Sequence, residues 1–122
     1  MDSKLKLLFE EKDTHLLVVV SGQWLRDSIK QAISEVGDSA RQRGFSKILI
    51  DARNLSAPKS DFERFLAGEE IALQWRGLKA AFLYPEERIK KFTENTAVNR
   101  GAVIIVLSDM DEALKWLTNN PT

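Results

Sequence analysis

The feature that most constrains the fold is the alternation of short apolar runs with amphipathic helical patterns. Apolar runs without polar interruption occupy residues 16–20, 48–50, 80–83 and 102–107. Runs of this length are typical of strands that are covered on both faces, and each is followed here by a segment of helical periodicity. Strands joined through a helix are normally parallel with right-handed crossovers. The sequence therefore predicts an α/β fold with a mostly parallel sheet.

The first strand has a different pattern. Residues 4–10 partly alternate polar and apolar side chains, which is typical of a half-buried strand at a sheet edge, where lysines discourage further pairing. The polar segment at 11–14 is short, so a hairpin joins this strand to the next. We therefore predict a five-stranded sheet with an antiparallel edge strand and the element order β-β-α-β-α-β-α-β-α.

Local signals set the predicted limits of the elements. Gly44 and Gly101 are placed to end helices. Ser60 and Glu63 have the spacing of a capping box, and Asp109 is placed to cap the last helix. A polar loop at 54–58 follows the third strand. The predicted strands are 4–10, 16–20, 47–51, 79–84 and 102–107, and the predicted helices are 27–43, 61–75, 86–99 and 109–117.

Composition excludes several classes of function. A chain of 122 residues, 43% hydrophobic and 30% charged, is expected to form a single domain over 1–122. Its 18 basic and 18 acidic residues balance, so no overall field favours nucleic acid, and we predict no nucleic-acid partner. The absence of cysteine excludes disulfides and a cysteine nucleophile. No stretch resembles a signal peptide or a membrane span, so the expected location is the cytoplasm.

The sequence lacks the combinations of residues that catalytic sites need. His15 is the single histidine, and we expect it to be exposed in the hairpin turn, so neither a histidine triad nor a two-histidine zinc site is available. The glycines match no phosphate-binding loop. Adjacent acidic residues are interpreted as solvated surface. The sequence therefore predicts a protein that is not an enzyme, with no cofactor, no metal and no catalytic residue.

The second helix has apolar residues on two faces. At 100° per residue, one stripe includes Phe62 and Phe65, whereas Ile71 and Trp75 point nearly the opposite way. One face is expected to cover the sheet. The other face either packs on a loop or a dimer partner, or belongs to a mobile apolar lid over a ligand or against a membrane surface.

Polar residues collect where the parallel strands are predicted to end. Ligands tend to bind beyond these carboxyl ends, so Asp51, Ser108 and Asp109 are candidates for a polar rim, with Tyr84 beside the gate residues. Ser56 and Ser60 precede the second helix, whose amino terminus stabilises a phosphoryl group. They are candidate phosphorylation sites, although Ser60 also has the simpler role of a helix cap.

The whole pattern, over about 4–117, resembles the STAS-like fold of the sporulation anti-anti-sigma factor, and more closely a group of small bacterial stand-alone proteins with that fold. The local matches are KILIDAR at 47–53, FTENTAVNRG at 92–101 and DEALKWL at 111–117. The resemblance implies helices mainly along one face of the sheet and a protein that acts by binding. It also implies a serine phosphorylated at the start of the second helix, within an Asp-Ser-Ser/Thr-Gly motif. Ser60 matches this serine in location only, because the motif is absent here.

Two functional hypotheses follow. In the first, the second helix gates an apolar cavity for a small apolar or lipid-like ligand, or contacts a membrane surface; the stand-alone group is similar in shape to CRAL-TRIO lipid-transfer domains. The gate residues would be Phe62, Phe65, Ile71, Trp75 and Tyr84. In the second, the chain is a regulatory protein-interaction module of the anti-anti-sigma type, phosphorylated near the start of the second helix. A homodimer is expected under both, because the sheet face without helices would seek cover.

Overall fold

The computed structural model describes residues 5–119, apart from the side chain of Phe92. Within this part of the chain the elements follow the predicted order β-β-α-β-α-β-α-β-α. The strands β1 to β5 are Lys6–Glu11, Leu16–Gly22, Lys47–Leu55, Lys79–Leu83 and Val103–Leu107. The helices α1 to α4 are Arg26–Gln42, Asp61–Gln74, Phe92–Asn99 and Met110–Thr118, and a 3-10 turn covers Glu86–Arg88.

The sheet has the predicted mixed topology. Its strands lie in the order β1-β2-β3-β4-β5, which is also their order along the chain. Strand β1 pairs with β2 in antiparallel orientation, and the three remaining pairs are parallel. The prediction of a mostly parallel sheet with an antiparallel edge strand is therefore confirmed.

The direction of this strand order decides where the helices lie. Each crossover moves to the next strand on the same side, and right-handed crossovers taken in one direction place all their helices on one face of the sheet. Helices α1, α2 and α3 accordingly share the main core on one face. Helix α4 follows the last strand and makes no crossover, and it packs on the opposite face. The predicted placement of helices mainly on one face is confirmed.

Two cores of unequal size result from this arrangement. The main core lies between the sheet and α1 to α3, and includes the fully buried Leu16, Val18 and Ile48. The smaller core lies beneath α4, where Ala113 and Leu117 pack on inward residues of β3 and β4. Because α4 contacts β3, β4 and β5, the β1 end of that face is less covered, and Leu8 is 54% exposed there. Dimerisation through this face stays a prediction.

Two predicted elements differ from the structure by more than two residues. Strand β3 continues to Leu55 instead of ending at Asp51, because Asn54 and Leu55 pair with the last residues of β2 after a register shift. The predicted helix over 86–99 is broken into the 3-10 turn and α3. In a continuous helix the carbonyl of Arg88 would accept from the amide of residue 92. Instead it accepts a hydrogen bond from Arg64 Nη2 at 3.2 Å.

Two local predictions also need correction. The side chain of Ser60 makes no capping hydrogen bond, so the capping box with Glu63 does not form, although Ser60 occupies the N-cap position of α2. The carboxylate of Glu63 is held instead by Arg26. His15 is buried, with 8% of its surface exposed, and was wrongly expected to be an exposed turn residue. Its ring nitrogen Nδ1 lies 3.0 Å from the hydroxyl of Thr14.

Helices α2 and α3 pack closely through a glycine. A Cβ atom on Gly68 would lie 2.6 Å from the carbonyl oxygen of Thr93 and 2.7 Å from Cβ of Thr96. The first contact involves the backbone of α3, which is not free to rotate away as a side chain is. The contact between α2 and α3 therefore depends on the absence of a side chain at this position.

We expect Gly68→Ala to lower the free energy of unfolding by about 1–3 kcal/mol, because the added methyl group overpacks the contact between helices. In an open helix the same change would instead stabilise by roughly 0.5–1 kcal/mol. The matched control is Gly37→Ala, for which the atoms nearest to the new Cβ belong to the side chains of Trp75 and Arg41, at 3.0–3.3 Å. Urea denaturation measures both changes, and an equal or smaller loss for Gly68→Ala would contradict the close contact.

His15 should make stability depend on pH. Burial, and secondarily the charge of Lys12, lower the pKa of His15 below its ordinary value of 6.5. The unfolded chain then binds more protons than the folded one between the two pKa values, so the free energy of unfolding falls as the pH drops below about 6.5. Urea denaturation at several pH values from about 7.5 to about 5 should show a smaller fall in the free energy of unfolding for His15→Gln than for the unaltered chain. Identical pH profiles would refute this assignment.

Candidate functional site

An elongated apolar cavity lies between the sheet and the helices of the main core. Its volume is about 110 Å³. The wall is formed by inward residues of α1 and α2, by the strands beneath them, and by residues 88–90, which run from the end of the 3-10 turn towards α3. Arg88 and Lys90 are exposed residues of this wall, so the cavity reaches the surface beside them.

One stripe of α2 forms a side of the cavity. Arg64, Ala67, Ile71 and Trp75 follow one another at three- and four-residue steps, which places them on a single helix face. All four are buried. Helix α2 begins near the carboxyl ends of the strands and returns towards their amino ends, so the stripe runs from a charged residue to an aromatic one. The cavity is therefore chemically different at its two ends.

Trp75 anchors the apolar end. Its indole Nε1 donates a hydrogen bond to the carbonyl of Ile33 at 2.8 Å, and its ring stacks on that of Phe82 with centroids 5.6 Å apart. Only 2% of its surface is exposed. These contacts hold the end of α2 on both α1 and β4. Trp75 and Ile71 thus face the sheet, and packing within the chain accounts for both.

Arg64 and Tyr84 form the polar end. The guanidinium of Arg64 donates to Asp61 Oδ1 at 3.1 Å and to the carbonyl of Arg88 at 3.2 Å. Tyr84 donates its hydroxyl to the carbonyl of Ser56 at 3.0 Å, and burial raises the pKa of this hydroxyl above its ordinary value. The polar end is thus built from side chains that also join α2 to the 3-10 turn, and the residue after β4 to the residue after β3.

Ser56 connects three segments at this end. Its Oγ accepts from the amide of Trp24 at 2.8 Å, its own amide donates to the carbonyl of Gly22, and its carbonyl accepts from Tyr84. The hydroxyl is half-buried and already engaged. A phosphoryl group there would disrupt the junction. Of the two candidate phosphorylation sites, Ser60 is the exposed one and makes no capping bond.

The apolar wall of the cavity lacks contact partners on the side that faces the empty space. An occupant that fits the cavity would supply those dispersion contacts and would therefore stabilise the folded chain.

The opposite side of α2 carries exposed apolar residues, which we call the outer ridge (Phe62, Phe65 and Leu73). Phe62 is 56% exposed and Leu73 is 62% exposed, whereas Phe65 is half-buried. The rings of Phe62 and Phe65 stack with centroids 6.1 Å apart. The five predicted gate residues are therefore divided: Ile71, Trp75 and Tyr84 line the cavity, and the two phenylalanines lie on the outer ridge.

Arginines from the neighbouring helices flank the outer ridge. The guanidinium of Arg26 lies 5.5 Å from the ring of Phe62 and pairs with Glu63 at 2.6 Å. On the other side Arg100 lies 5.4 Å from the ring of Phe65. The hydrogen bond from Arg26 holds the pKa of the Glu63 carboxyl below its ordinary value. The ridge is thus an apolar strip bordered by guanidinium groups.

The predicted polar rim does not converge on one point. Asp51 binds Arg53 through both carboxylate oxygens, at 2.9 and 2.7 Å, which lowers the pKa of Asp51. Asp109 accepts from the amide of Asp111 as the cap of α4. Ser108 is exposed. Asp51 is in register with a residue of β4, and that residue pairs with the end of β5. Asp51 is therefore separated from Ser108 by two strand spacings, which is about 10 Å.

Sequence reasoning missed the two arginines of the cavity wall, Arg64 and Arg88. For Arg64 a signal was present, because it shares the inward stripe of α2 with Ile71 and Trp75. A charged residue on a core-facing stripe is unusual and points to a special environment. Arg88 gave no such signal, because its position depends on the break before α3.

Among residues 5–119, no group of three or more histidine, aspartate or glutamate side chains is arranged to hold a metal ion. None of the helices in this range is both long enough and apolar enough to cross a bilayer.

We expect the two sides of α2 to respond very differently to truncation. Trp75→Ala should lower the free energy of unfolding by about 3–5 kcal/mol, because it removes a buried ring and its hydrogen bond. Phe62→Ala should change it by no more than about 0.5 kcal/mol, because that side chain is mostly exposed. Thermal or urea unfolding measures both. Similar losses for the two variants would show that the outer ridge is part of the core.

No protein-family model matches this sequence, and no curated protein matches it significantly. Solved structures do match in fold. An anti-sigma factor antagonist from Mycobacterium paratuberculosis is 16% identical with a TM-score of 0.63, over 98% of each chain. An uncharacterised protein from Shewanella loihica, described as having a SpoIIAA-like fold, is 17% identical with a TM-score of 0.56, over 93% of each chain. The anti-sigma factor antagonist SpoIIAA in its unphosphorylated form is 14% identical with a TM-score of 0.53, over 90% of this chain and 96% of that one. This chain therefore has the SpoIIAA-like, or STAS-like, fold.

Proposed function

We propose that this chain is a non-enzymatic regulatory module that binds another protein through the outer ridge of α2. The observation that carries the proposal is the exposure of Phe62 and Leu73 on one face of a helix whose opposite face is buried. Large apolar side chains in that position add nothing to the core of the chain. They are available to a partner.

The composition of the ridge fits a protein interface. Aromatic and arginine side chains are enriched at the centres of interfaces, where they supply much of the binding free energy. Here Phe62 and Phe65 are stacked on each other, and Arg26 and Arg100 lie against their outer sides. The stacking and the cation contacts limit the conformations of these side chains before binding. Less conformational entropy is then lost when a partner covers them.

The structural neighbours support a regulatory partner. Two of the matching structures are described as anti-sigma factor antagonists. These proteins share the fold of this chain over nearly its whole length, and their descriptions name a regulatory role. By analogy we assign this chain a protein partner of the same regulatory kind.

Ser60 is the favoured site for control of this interaction. It lies two residues before Phe62, is exposed, and occupies the N-cap of a 14-residue helix. A phosphoryl group there would be attracted by the helix terminus and would add about two negative charges next to Asp61 and Glu63. The same group would compete for Arg26, which now pairs with Glu63. The electrostatic border of the ridge would therefore change.

The lipid hypothesis has less support. Pockets that hold ligands of drug size have volumes of roughly 300–1,000 Å³, and a long acyl chain needs a comparable space. The cavity beneath α2 measures about 110 Å³. Its inner wall is also fixed by the buried, hydrogen-bonded Trp75. A mobile gate formed by this part of α2 would have to break that contact.

The proposal is tested by replacing Phe62, the more exposed of the two phenylalanines of the ridge. A photo-cross-linking amino acid at position 62 should capture a protein from the source cell, which is then purified and titrated by calorimetry. Phe62→Ala should weaken its binding about tenfold or more, as expected for a residue that contributes substantially to an interface. Ser60→Asp should also weaken binding, whereas Ser60→Ala should not.

The matched control is Leu8→Ala, because Leu8 is 54% exposed but lies on β1, away from α2. This variant should retain full affinity for the purified partner. Equal losses for Leu8→Ala and Phe62→Ala would contradict binding through the ridge. A captured protein that shows no saturable binding once purified would also count against the proposal.

A further inference from the structure

We infer that the cavity beneath α2 binds a small amphipathic carboxylate, with its apolar body inside and its carboxylate at the end formed by Arg64, Arg88 and Lys90. This ligand class follows from the charged residues of the cavity wall, from the volume of the cavity, and from the separation of its charged end from its aromatic end. It does not depend on the proposed protein interaction, because the outer ridge lies on the other side of α2.

The charges of the wall favour an anion. Arg64, Arg88 and Lys90 line the cavity, and none of the residues in its wall is acidic. The side chain of Arg64 is only 9% exposed, and the carboxylate that pairs with it, Asp61, is 45% exposed and so is partly screened by solvent. Buried guanidinium groups bind carboxylates strongly because two parallel hydrogen bonds can form.

Arg64 retains hydrogen-bonding capacity for such a ligand. A guanidinium group has five N–H donors. Among the described residues, Arg64 donates from Nη1 to Asp61 and from Nη2 to the carbonyl of Arg88. Neither contact is bidentate. The hydroxyl of Tyr84 also lines this end of the cavity, although it donates to Ser56.

The rest of the wall suits an apolar body. From Arg64 the stripe of α2 continues through Ala67 and Ile71 to Trp75, about 16 Å further along the helix axis. Trp75 and Phe82 close the far end as a stacked pair. A ligand aligned with the cavity would place its charge near the strand ends and its hydrocarbon part towards these rings.

The volume limits the ligand to a short chain or a single ring. Dry apolar cavities of roughly 150 Å³ take up benzene. The cavity here measures about 110 Å³ and has a comparable apolar wall. A six-carbon acid such as hexanoate matches this size, with its carboxylate at the exposed Arg88 and Lys90. A long-chain fatty acid does not.

The test uses hexanoate as the probe, with hexanamide as the neutral analogue of the same shape and palmitate as the long-chain acid. Calorimetric titration of the full chain should show hexanoate binding at one site. Arg88→Met should weaken this binding about tenfold or more, because it removes a charged hydrogen-bond donor while keeping a similar apolar stem. Hexanamide should bind more weakly and should be little affected by Arg88→Met.

Two further variants separate the site from general effects. Arg76→Met removes an exposed arginine that lies outside both the cavity wall and the outer ridge, and it should change hexanoate affinity by less than about twofold. Ala67→Leu should abolish binding by filling the cavity, and circular dichroism should confirm that it folds. Absence of hexanoate binding at millimolar concentration would overturn the inference. Equal binding of hexanamide would overturn the assignment of the carboxylate, and tighter binding of palmitate would overturn the size limit.

Discussion

The uniform direction of the crossovers determines the rest of this structure. Because the strands are added in one direction along the sheet, right-handed crossovers place α1, α2 and α3 side by side on one face. Helix α2 is the middle one of the three, with α1 and α3 as its neighbours. It therefore covers the sheet with one face and meets solvent with the other. The cavity and the outer ridge are the two consequences of this central position.

The two faces of α2 use different residues and different physical contacts. The inner stripe is fixed by the hydrogen bond of Trp75 to α1, by the guanidinium of Arg64 and by the close approach at Gly68. The outer face is held by ion pairs and cation contacts that involve Arg26 and Arg100. The two sets use different residues of α2 itself. A ligand in the cavity and a protein on the ridge would thus act on the same helix from opposite sides.

The strand ends serve mainly to join elements in this chain. Open parallel sheets bind ligands in the crevice where the strand order reverses, but the order here never reverses within the described sheet. The polar residues at these ends are accordingly used in structural contacts: Asp51 with Arg53, Asp109 as a helix cap, and Ser56 as the junction of three segments. The space for a ligand lies beneath α2 instead.

Local patterns in the sequence were sufficient for the element order, the edge strand, the parallel sheet and the two apolar faces of α2, because each is set by residue periodicity over a short segment. Tertiary contacts decided the features that the sequence could not provide. The break before α3 leaves the carbonyl of Arg88 to accept from Arg64, and the last residues of β3 pair with β2. Packing within the folded chain buries His15, and the position of α2 on the sheet places Arg64 in the wall of the cavity. These outcomes depend on residues distant in sequence, and periodicity does not encode such contacts.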